Sequence, residues 1–505
     1  MQKRRILINA MMSVLQFLVL GAVFFVLYRF LLRTIGAEQF GIWSIVLATA
    51  SVTHLANFGL SSSVVKFVAK YISRGEKETV SDLIQTAAIS VCLLVGIMLL
   101  VGYLFASWIL RVIIPEHNLQ MALSLLPFAL LSLWLSVLTG VFQAGLDGHQ
   151  RIDIRCSLLV SASIFHLVLC FLVVPRLGLM GLAYAQVLQT SSLLLASWLS
   201  LKYILRTLPV VPYRWRRDLF REMVGYGVNF QVGALMSMLG EPTTKALLTK
   251  FGGLSMVAYY EMASRMVAQV RGLVVSANQV LVPALADLQE RDPKSVQTLY
   301  KDSYQLIVYI AIPLFSALIA LTPVISRFWI GHYENIFVLF SCVISLAMVI
   351  NTLTAPAYFV NLGTDGIRWN TISHVTTGSL NFGLGLLFGA LLGGSAVVFA
   401  SAFSIIVGSA VTVLSYHLRH RIRLLDLVPK QSVSLIVFCA LGSLLALLLS
   451  LRLRYSLNPG ILALLVFLPF LATMGFLAWI NPMREILVGW FTRYLWLTEK
   501  TGRLQ

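Results

Sequence analysis

Residues 237–275 read SMLGEPTTKALLTKFGGLSMVAYYEMASRMVAQVRGLVV and decide how the chain is interpreted. Their apolar content predicts two membrane-spanning helices, which are joined by a tight turn at Gly252–Gly253. The same stretch carries five ionisable residues at depths where lipid makes a charge expensive. Such residues normally face a polar cavity or a partner, so they are candidates for function. These five residues are Glu241, Lys245, Glu261, Arg265 and Arg271.

The composition of the whole chain is that of a membrane protein. Of its 505 residues, 58% are hydrophobic and 11% are charged, and the mean hydropathy is +0.86. Because a bilayer core needs about 20 apolar residues of helix, the apolar runs predict about fourteen spans and an all-α polytopic fold. The five cysteines are scattered without paired spacing, which indicates packing rather than a metal site or a disulfide framework.

The net charge of +18 is distributed unevenly between the two sides of the predicted membrane. When loops are assigned alternately to the inside and the outside, the inner set holds 26 basic residues and the outer set holds 7. This asymmetry follows the positive-inside rule and places both termini in the cytoplasm. The basic excess therefore needs no nucleic-acid partner.

An internal repeat divides the chain into two halves. LLRTIGAEQFGIW at 31–43 matches LLTKFGGLSMVAY at 247–259, at an offset of 216 residues. Six spans per repeat is an even number, so both copies keep one orientation and form two pseudo-symmetric six-helix lobes, with two C-terminal helices added. The predicted divisions are an N-terminal lobe 1–206, a cytoplasmic linker 207–221, a C-terminal lobe 222–420, helices 13 and 14 in 421–480, and a cytoplasmic amphipathic tail 481–505.

The intramembrane charges allow two interpretations. Each glutamate of 237–275 precedes a basic residue by four positions, so both could form internal ion pairs. Alternatively they line a polar pathway, which is the commoner role of charges at this depth. The repeat offset places Arg29 at the position of Lys245, and Lys66 is a further basic residue inside a span. Five basic residues against two acidic ones predict a positive cavity for an anion, and arginine suits phosphate.

The segment FLLRTIGAEQFGIWSIVLATASVTHLANFGLSSSVVKFVAKYISRG, residues 30–75, resembles bacterial polysaccharide-biosynthesis flippases of the O-antigen transporter type. These belong to the multidrug/oligosaccharidyl-lipid/polysaccharide exporter superfamily. The resemblance implies a MATE-like fold, alternating access, and a central cavity lined by spans 1, 2, 7 and 8. The last two helices resemble the pair that forms a lipid-tail groove in lipid-linked peptidoglycan precursor flippases. The residues that the resemblance places in the cavity are Arg29, Lys66, Glu241, Lys245, Glu261, Arg265 and Arg271.

The same resemblance implies a flippase that moves an undecaprenyl-diphosphate-linked oligosaccharide across the bacterial inner membrane, for O-antigen, capsule or exopolysaccharide assembly. Membrane lipids, a polysaccharide polymerase and glycosyltransferases are the expected partners. No cofactor is expected, although the two glutamates could couple transport to H⁺ or Na⁺.

Three alternatives remain open. A lipid-linked peptidoglycan precursor flippase would make the gene indispensable for growth. A multidrug exporter of the same superfamily is the second alternative. Cationic drugs would prefer an acidic cavity, whereas the cavity predicted for this chain is positive. A membrane polymerase or glycosyltransferase is more remote, since no catalytic constellation stands out and the outer loops are short. We therefore expect a transporter rather than an enzyme.

Overall fold

A computed structural model describes residues 2–51, 60–279, 293–363, 366–423, 430–453 and 463–485, together with Leu427 and Ile461. Within these ranges the chain is helical and has no strand. Helices lie over each of the fourteen predicted spans, which confirms the all-α polytopic fold. Residues 486–505, most of the predicted amphipathic tail, lie outside the described residues.

The helices are numbered here in chain order. They are α1 (Gln2–Thr34), α2 (Gly36–Ser51), α3 (Leu60–Ser73), α4 (Lys77–Ile113), α5 (Glu116–Gly148), α6 (Ile152–Ile204), α7 (Arg217–Gly252), α8 (Leu254–Gln279), α9 (Pro293–Trp329), α10 (Asn335–Leu353), α11 (Ala355–Gly363), α12 (Ile367–Leu392), α13 (Gly394–His420), α14 (Lys430–Leu453) and α15 (Leu468–Ile480), the last preceded by a π-helical turn, Ala463–Phe467.

Two glycines lie at breaks between predicted spans. Gly253 separates α7 from α8 with φ of 84°, and Gly178 has φ of 56° inside α6. Positive φ carries little steric cost only for glycine, which lacks Cβ. Gly178 therefore divides α6 into two helices, which correspond to the predicted spans 153–175 and 179–205.

Nine helices in the described part of the chain are long and apolar enough to cross a membrane. They are α1, α4, α5, α6, α9, α10, α12, α13 and α14. The helices α7 and α8, which carry the five charged residues of 237–275, are not among those that the described residues show to be long and apolar enough. The second predicted span is covered by α2 and α3, on either side of residues 52–59, which lie outside the description.

The contacts divide the chain into two units. The first comprises Met1–Tyr259 with Gly385–Val397, where α5 packs on α4 and α6, and α1 packs on α6. In α4, Leu83, Ala87 and Val91 recur at helical spacing and are buried, while Leu100 and Leu104 on the same helix are strongly exposed. A helix that is apolar all round in this way suits a lipid environment.

The second unit comprises Tyr260–Leu384 with Val398–Gln505. Here α9 packs on α10 and α14, and α15 packs on α14. Ala320, Ala446 and Phe470 form the buried centre of this packing, and the Phe438 and Phe470 rings stack with centroids 5.7 Å apart. The two predicted C-terminal helices are thus bound to α9. The division into lobes by internal repeat stays a prediction.

The predicted linker is fixed along α4. Gln85 Oε1 accepts hydrogen bonds from the backbone amides of Tyr213 and Arg214, both at 3.2 Å, and Trp215 Nε1 donates to Ser90 Oγ at 3.0 Å. Gln85 is buried, so its amide meets these backbone groups away from water, where an unpaired N–H would be costly. The linker is therefore ordered and not a loose tether.

Ion pairs form at the C-terminal end of the linker. Asp82 lies 3.6 Å from both Arg214 and Arg216. Arg216 also binds Asp218 through both carboxylate oxygens, at 3.2 and 2.6 Å, and this hydrogen bonding lowers the pKa of Asp218. Because Asp218 lies in the first turn of α7, its negative charge also suits the positive helix terminus there.

Candidate functional site

The pair Glu241–Lys245 forms on α7. Lys245 Nζ lies 2.7 Å from Glu241 Oε1, and the side chains are 4% and 45% exposed respectively. The i,i+4 spacing brings the two groups together on one face of the helix. The ammonium is thus buried while its carboxylate partner stays accessible.

The pair Glu261–Arg265 on α8 has the opposite arrangement. Arg265 Nε donates to Glu261 Oε1 at 2.8 Å, but here the carboxylate is 7% exposed and the guanidinium is 47% exposed. Both predicted ion pairs therefore form. Glu241 belongs to the first contact unit and Glu261 to the second. That these residues line a cavity stays a prediction.

Arg271 has a different partner. Its Nε donates to Asn351 Oδ1 of α10 at 3.0 Å, and Asn351 Nδ2 donates in turn to Ser409 Oγ of α13 at 3.1 Å. An amide oxygen orients the guanidinium without neutralising it. Among the described residues Arg271 has no acidic partner, so no carboxylate there compensates the charge of this half-buried group. Asn351 is not among the predicted site residues, and its only signal in the sequence is a polar residue near the end of an apolar helix.

Arg29 and Lys66 complete the predicted set. Arg29 is half-buried in α1 and makes no hydrogen bond or ion pair with the described part of the chain. Lys66 is exposed on α3, with its Nζ 5.6 Å from the centroid of the Phe67 ring. Arg29 and Arg271 are therefore the predicted cations whose charge no described carboxylate compensates. Within the described ranges, no cluster of three His, Cys, Asp or Glu side chains is placed to hold a metal ion.

A further polar cluster, absent from the sequence predictions, joins α3 to the start of α7. Lys70 Nζ lies 2.7 Å from Glu222 Oε1, and Tyr71 Oη donates to Glu222 Oε2 at 2.7 Å. Two turns before Lys70 on α3, Ser63 Oγ donates to the carbonyl of Met223 at 2.8 Å. We call the contact of Glu222 with Lys70 and Tyr71 the Glu222 clamp. It joins two helices that the predicted repeat assigns to different halves.

Comparison with known proteins identifies the family. The family described as polysaccharide biosynthesis protein matches residues 4–289, more than half of the chain. The chain belongs to this family. A putative O-antigen transporter from Shigella flexneri is 21% identical over 316 residues, which cover 61% of this chain and 72% of that protein.

Solved structures show the same fold. The structure of lipid II flippase MurJ in an inward closed conformation aligns with a TM-score of 0.70 at 15% identity, covering 95% of this chain and 98% of that one. An inward-facing multidrug resistance MATE family transporter of the MOP superfamily aligns with a TM-score of 0.67 at 14% identity, covering 79% and 94%. The chain is therefore a multi-pass membrane protein with a MurJ- and MATE-like fold, as the sequence predicts.

Proposed function

We propose that this protein is a flippase that moves a polyprenyl-diphosphate-linked oligosaccharide across the bacterial inner membrane by alternating access. The family and the fold support transport of a glycan lipid. The observation that carries the proposal is Arg271, a half-buried arginine of α8 whose guanidinium donates to an amide oxygen and has no acidic partner among the described residues.

The chemistry of Arg271 suits a diphosphate. A guanidinium presents several donors in a planar fork and can bind two phosphate oxygens at once. Asn351 uses one of these donors and fixes the orientation of the group. The diphosphate is the part that every polyprenyl-diphosphate-linked glycan shares, so this role does not depend on the sugar. Arg29, in the first unit, is the other predicted cation that has no carboxylate partner among the described residues.

The test is transport of a labelled lipid-linked oligosaccharide in membrane vesicles. We expect Arg271→Ala to slow transport by at least about tenfold, because a charge-assisted bond contributes about 1.5–3 kcal/mol. Arg271→Lys should restore part of the rate. Arg111→Ala, which removes an exposed arginine from the end of α4, is the control. Transport at the parental rate by correctly inserted Arg271→Ala protein would refute the proposed role.

The role of Arg265 has to be tested with a double variant. Removing Arg265 alone would leave the Glu261 carboxylate buried without this partner, which is destabilising in itself. The double variant Glu261→Gln with Arg265→Gln removes both charges together. Slow transport by this double variant, with normal insertion, would assign the pair to the pathway; an unchanged rate would leave it as an internal ion pair.

The comparison of folds favours a second candidate substrate. The structure of a lipid II flippase aligns with 95% of this chain, whereas the MATE family transporter aligns with 79%. A lipid-linked peptidoglycan precursor is therefore the alternative substrate. Growth of a strain depleted of its own lipid II flippase, when this protein is expressed, would favour that alternative over the oligosaccharide.

A further inference from the structure

An apolar groove of about 620 Å³ lies in the first contact unit, between α4, α5, the second half of α6 and the linker. Its volume falls within the range of roughly 300–1,000 Å³ typical of ligand pockets. Phe142 of α5 and Trp198 of α6 form part of its wall. Leu93 and Leu195, also in the wall, expose 59% and 55% of their surface, so the groove opens on the outside of the helices. In a membrane-spanning chain that surface meets lipid chains.

The linker forms part of the groove wall. Val210, Val211 and Pro212 line it, and the residues that follow them are hydrogen-bonded to Gln85 and Ser90 of α4. This part of the linker is therefore held in place before any ligand arrives. A preformed site of this kind saves a ligand the entropic cost of ordering its walls.

A cation lies beside the groove. Lys202 Nζ is 5.3 Å from the centroid of the Trp198 ring, which lines the groove one helical turn away. Lys202 makes no ion pair with the residues that the structure describes. In the orientation that the basic residues predict, this end of α6 reaches the cytoplasmic headgroup region, where a lysine attracts anionic lipid.

We propose that the groove is a binding site for one anionic phospholipid of the inner leaflet, with an acyl chain along the groove and its phosphate at Lys202. The apolar walls match the chain, and the uncompensated ammonium matches the phosphate. None of the seven predicted cavity residues lines this groove, so the site is distinct from the proposed substrate pathway. Bound there, the lipid contacts Val210, Val211 and Pro212 and adds to the hydrogen bonds that already hold the linker on α4.

Native mass spectrometry of the detergent-released, delipidated protein tests the site, with phosphatidylglycerol and phosphatidylcholine as the probes. We expect one phosphatidylglycerol to bind more tightly than phosphatidylcholine. Lys202→Gln should weaken phosphatidylglycerol about fivefold, the effect of one basic residue at an anionic surface. Ser191→Trp should fill the groove and abolish this binding. Arg111→Gln and Leu188→Trp, which change charge and size outside the groove, should bind as the parent does.

A second readout uses the parent protein alone, since filling a groove can disturb folding. Cys92 lines the groove and is half-buried, and Cys342 is a half-buried thiol of the second contact unit. Phosphatidylglycerol should slow alkylation of Cys92 by N-ethylmaleimide several-fold and leave Cys342 unchanged. Equal protection by phosphatidylcholine would overturn the anionic assignment, and no protection would overturn the site. If only polyprenyl phosphate protects Cys92, the groove binds the transport substrate and not a phospholipid.

Discussion

Glu222 is the residue that ties α3 to α7, through Lys70 and Tyr71. Both members of the ion pair are about one-third exposed, so the pair is partly screened and worth no more than about 1 kcal/mol. In the predicted orientation the Glu222 clamp lies on the cytoplasmic side. Alternating access would require this contact to open.

We predict that Glu222→Gln loosens this contact. Ser63 is fully buried next to Met223, so a cysteine placed there reports any separation of α3 from α7. In a Ser63→Cys background, labelling by a membrane-impermeant maleimide from the cytoplasmic side should rise up to about fivefold with Glu222→Gln. The control is Glu76→Gln, which removes an exposed carboxylate at the N-terminus of α4. Equal labelling in both variants would contradict a role for Glu222 in holding this contact.

Side-chain contacts between residues close in sequence can be predicted from the sequence, and contacts between distant residues cannot. The pairs Glu241–Lys245 and Glu261–Arg265 were predictable, because helical geometry alone brings residues four apart together. The partner of Glu222 lies 152 residues away in α3, and Asn351 lies 80 residues from Arg271. Such partners depend on how helices pack, which no local pattern in a single sequence reports.

At the scale of helices, apolar length and turn glycines were enough to place the elements. Gly178 separates two spans even though the surrounding run is helical from Ile152 to Ile204. The ordered linker was not predictable, since its prolines and arginines are equally typical of a flexible connection. Its order comes from Gln85 and Ser90 on another helix.

Helix packing at Gly41 gives a second prediction. A Cβ atom on Gly41 would collide with the backbone carbonyl of Leu254 at the start of α8, and backbone atoms cannot move aside as a flexible side chain can. Gly41→Ala should therefore destabilise the protein by about 1–3 kcal/mol, the usual effect of overpacking. Thermal unfolding of the purified protein in detergent measures this.

The matched control lies in the neighbouring helix. Gly21 of α1 has open space where its Cβ would go, so Gly21→Ala adds a methyl group without a clash. Alanine is also the better helix former, by about 0.5–1 kcal/mol in a helix interior. We expect Gly21→Ala to unfold at or slightly above the parental temperature. Similar unfolding temperatures for the two variants would show that α2 and α8 are not in close contact.

For the whole molecule, one orientation in the membrane connects the charge distribution, the Glu222 clamp and the lipid groove. The loops predicted to lie inside hold 26 basic residues and those predicted to lie outside hold 7, and this asymmetry is the signal from which the orientation is predicted. The same assignment puts Glu222, the linker and Lys202 at the cytoplasmic surface. If the chain were inverted, the clamp would lie on the opposite side, and the groove would face the outer leaflet. Orientation is therefore the common premise of both proposals.

Two exposed positions test the predicted orientation. Lys250 lies at the end of α7 beside the turn to α8, and Arg206 lies in the linker. In intact cells, an impermeant maleimide should label Lys250→Cys but not Arg206→Cys, and permeabilisation should make both reactive. The native cysteines are buried or half-buried, and a strain with neither substitution measures their background. Labelling of Arg206→Cys alone in intact cells would invert the topology, and with it the side of the membrane from which the substrate and the phospholipid enter.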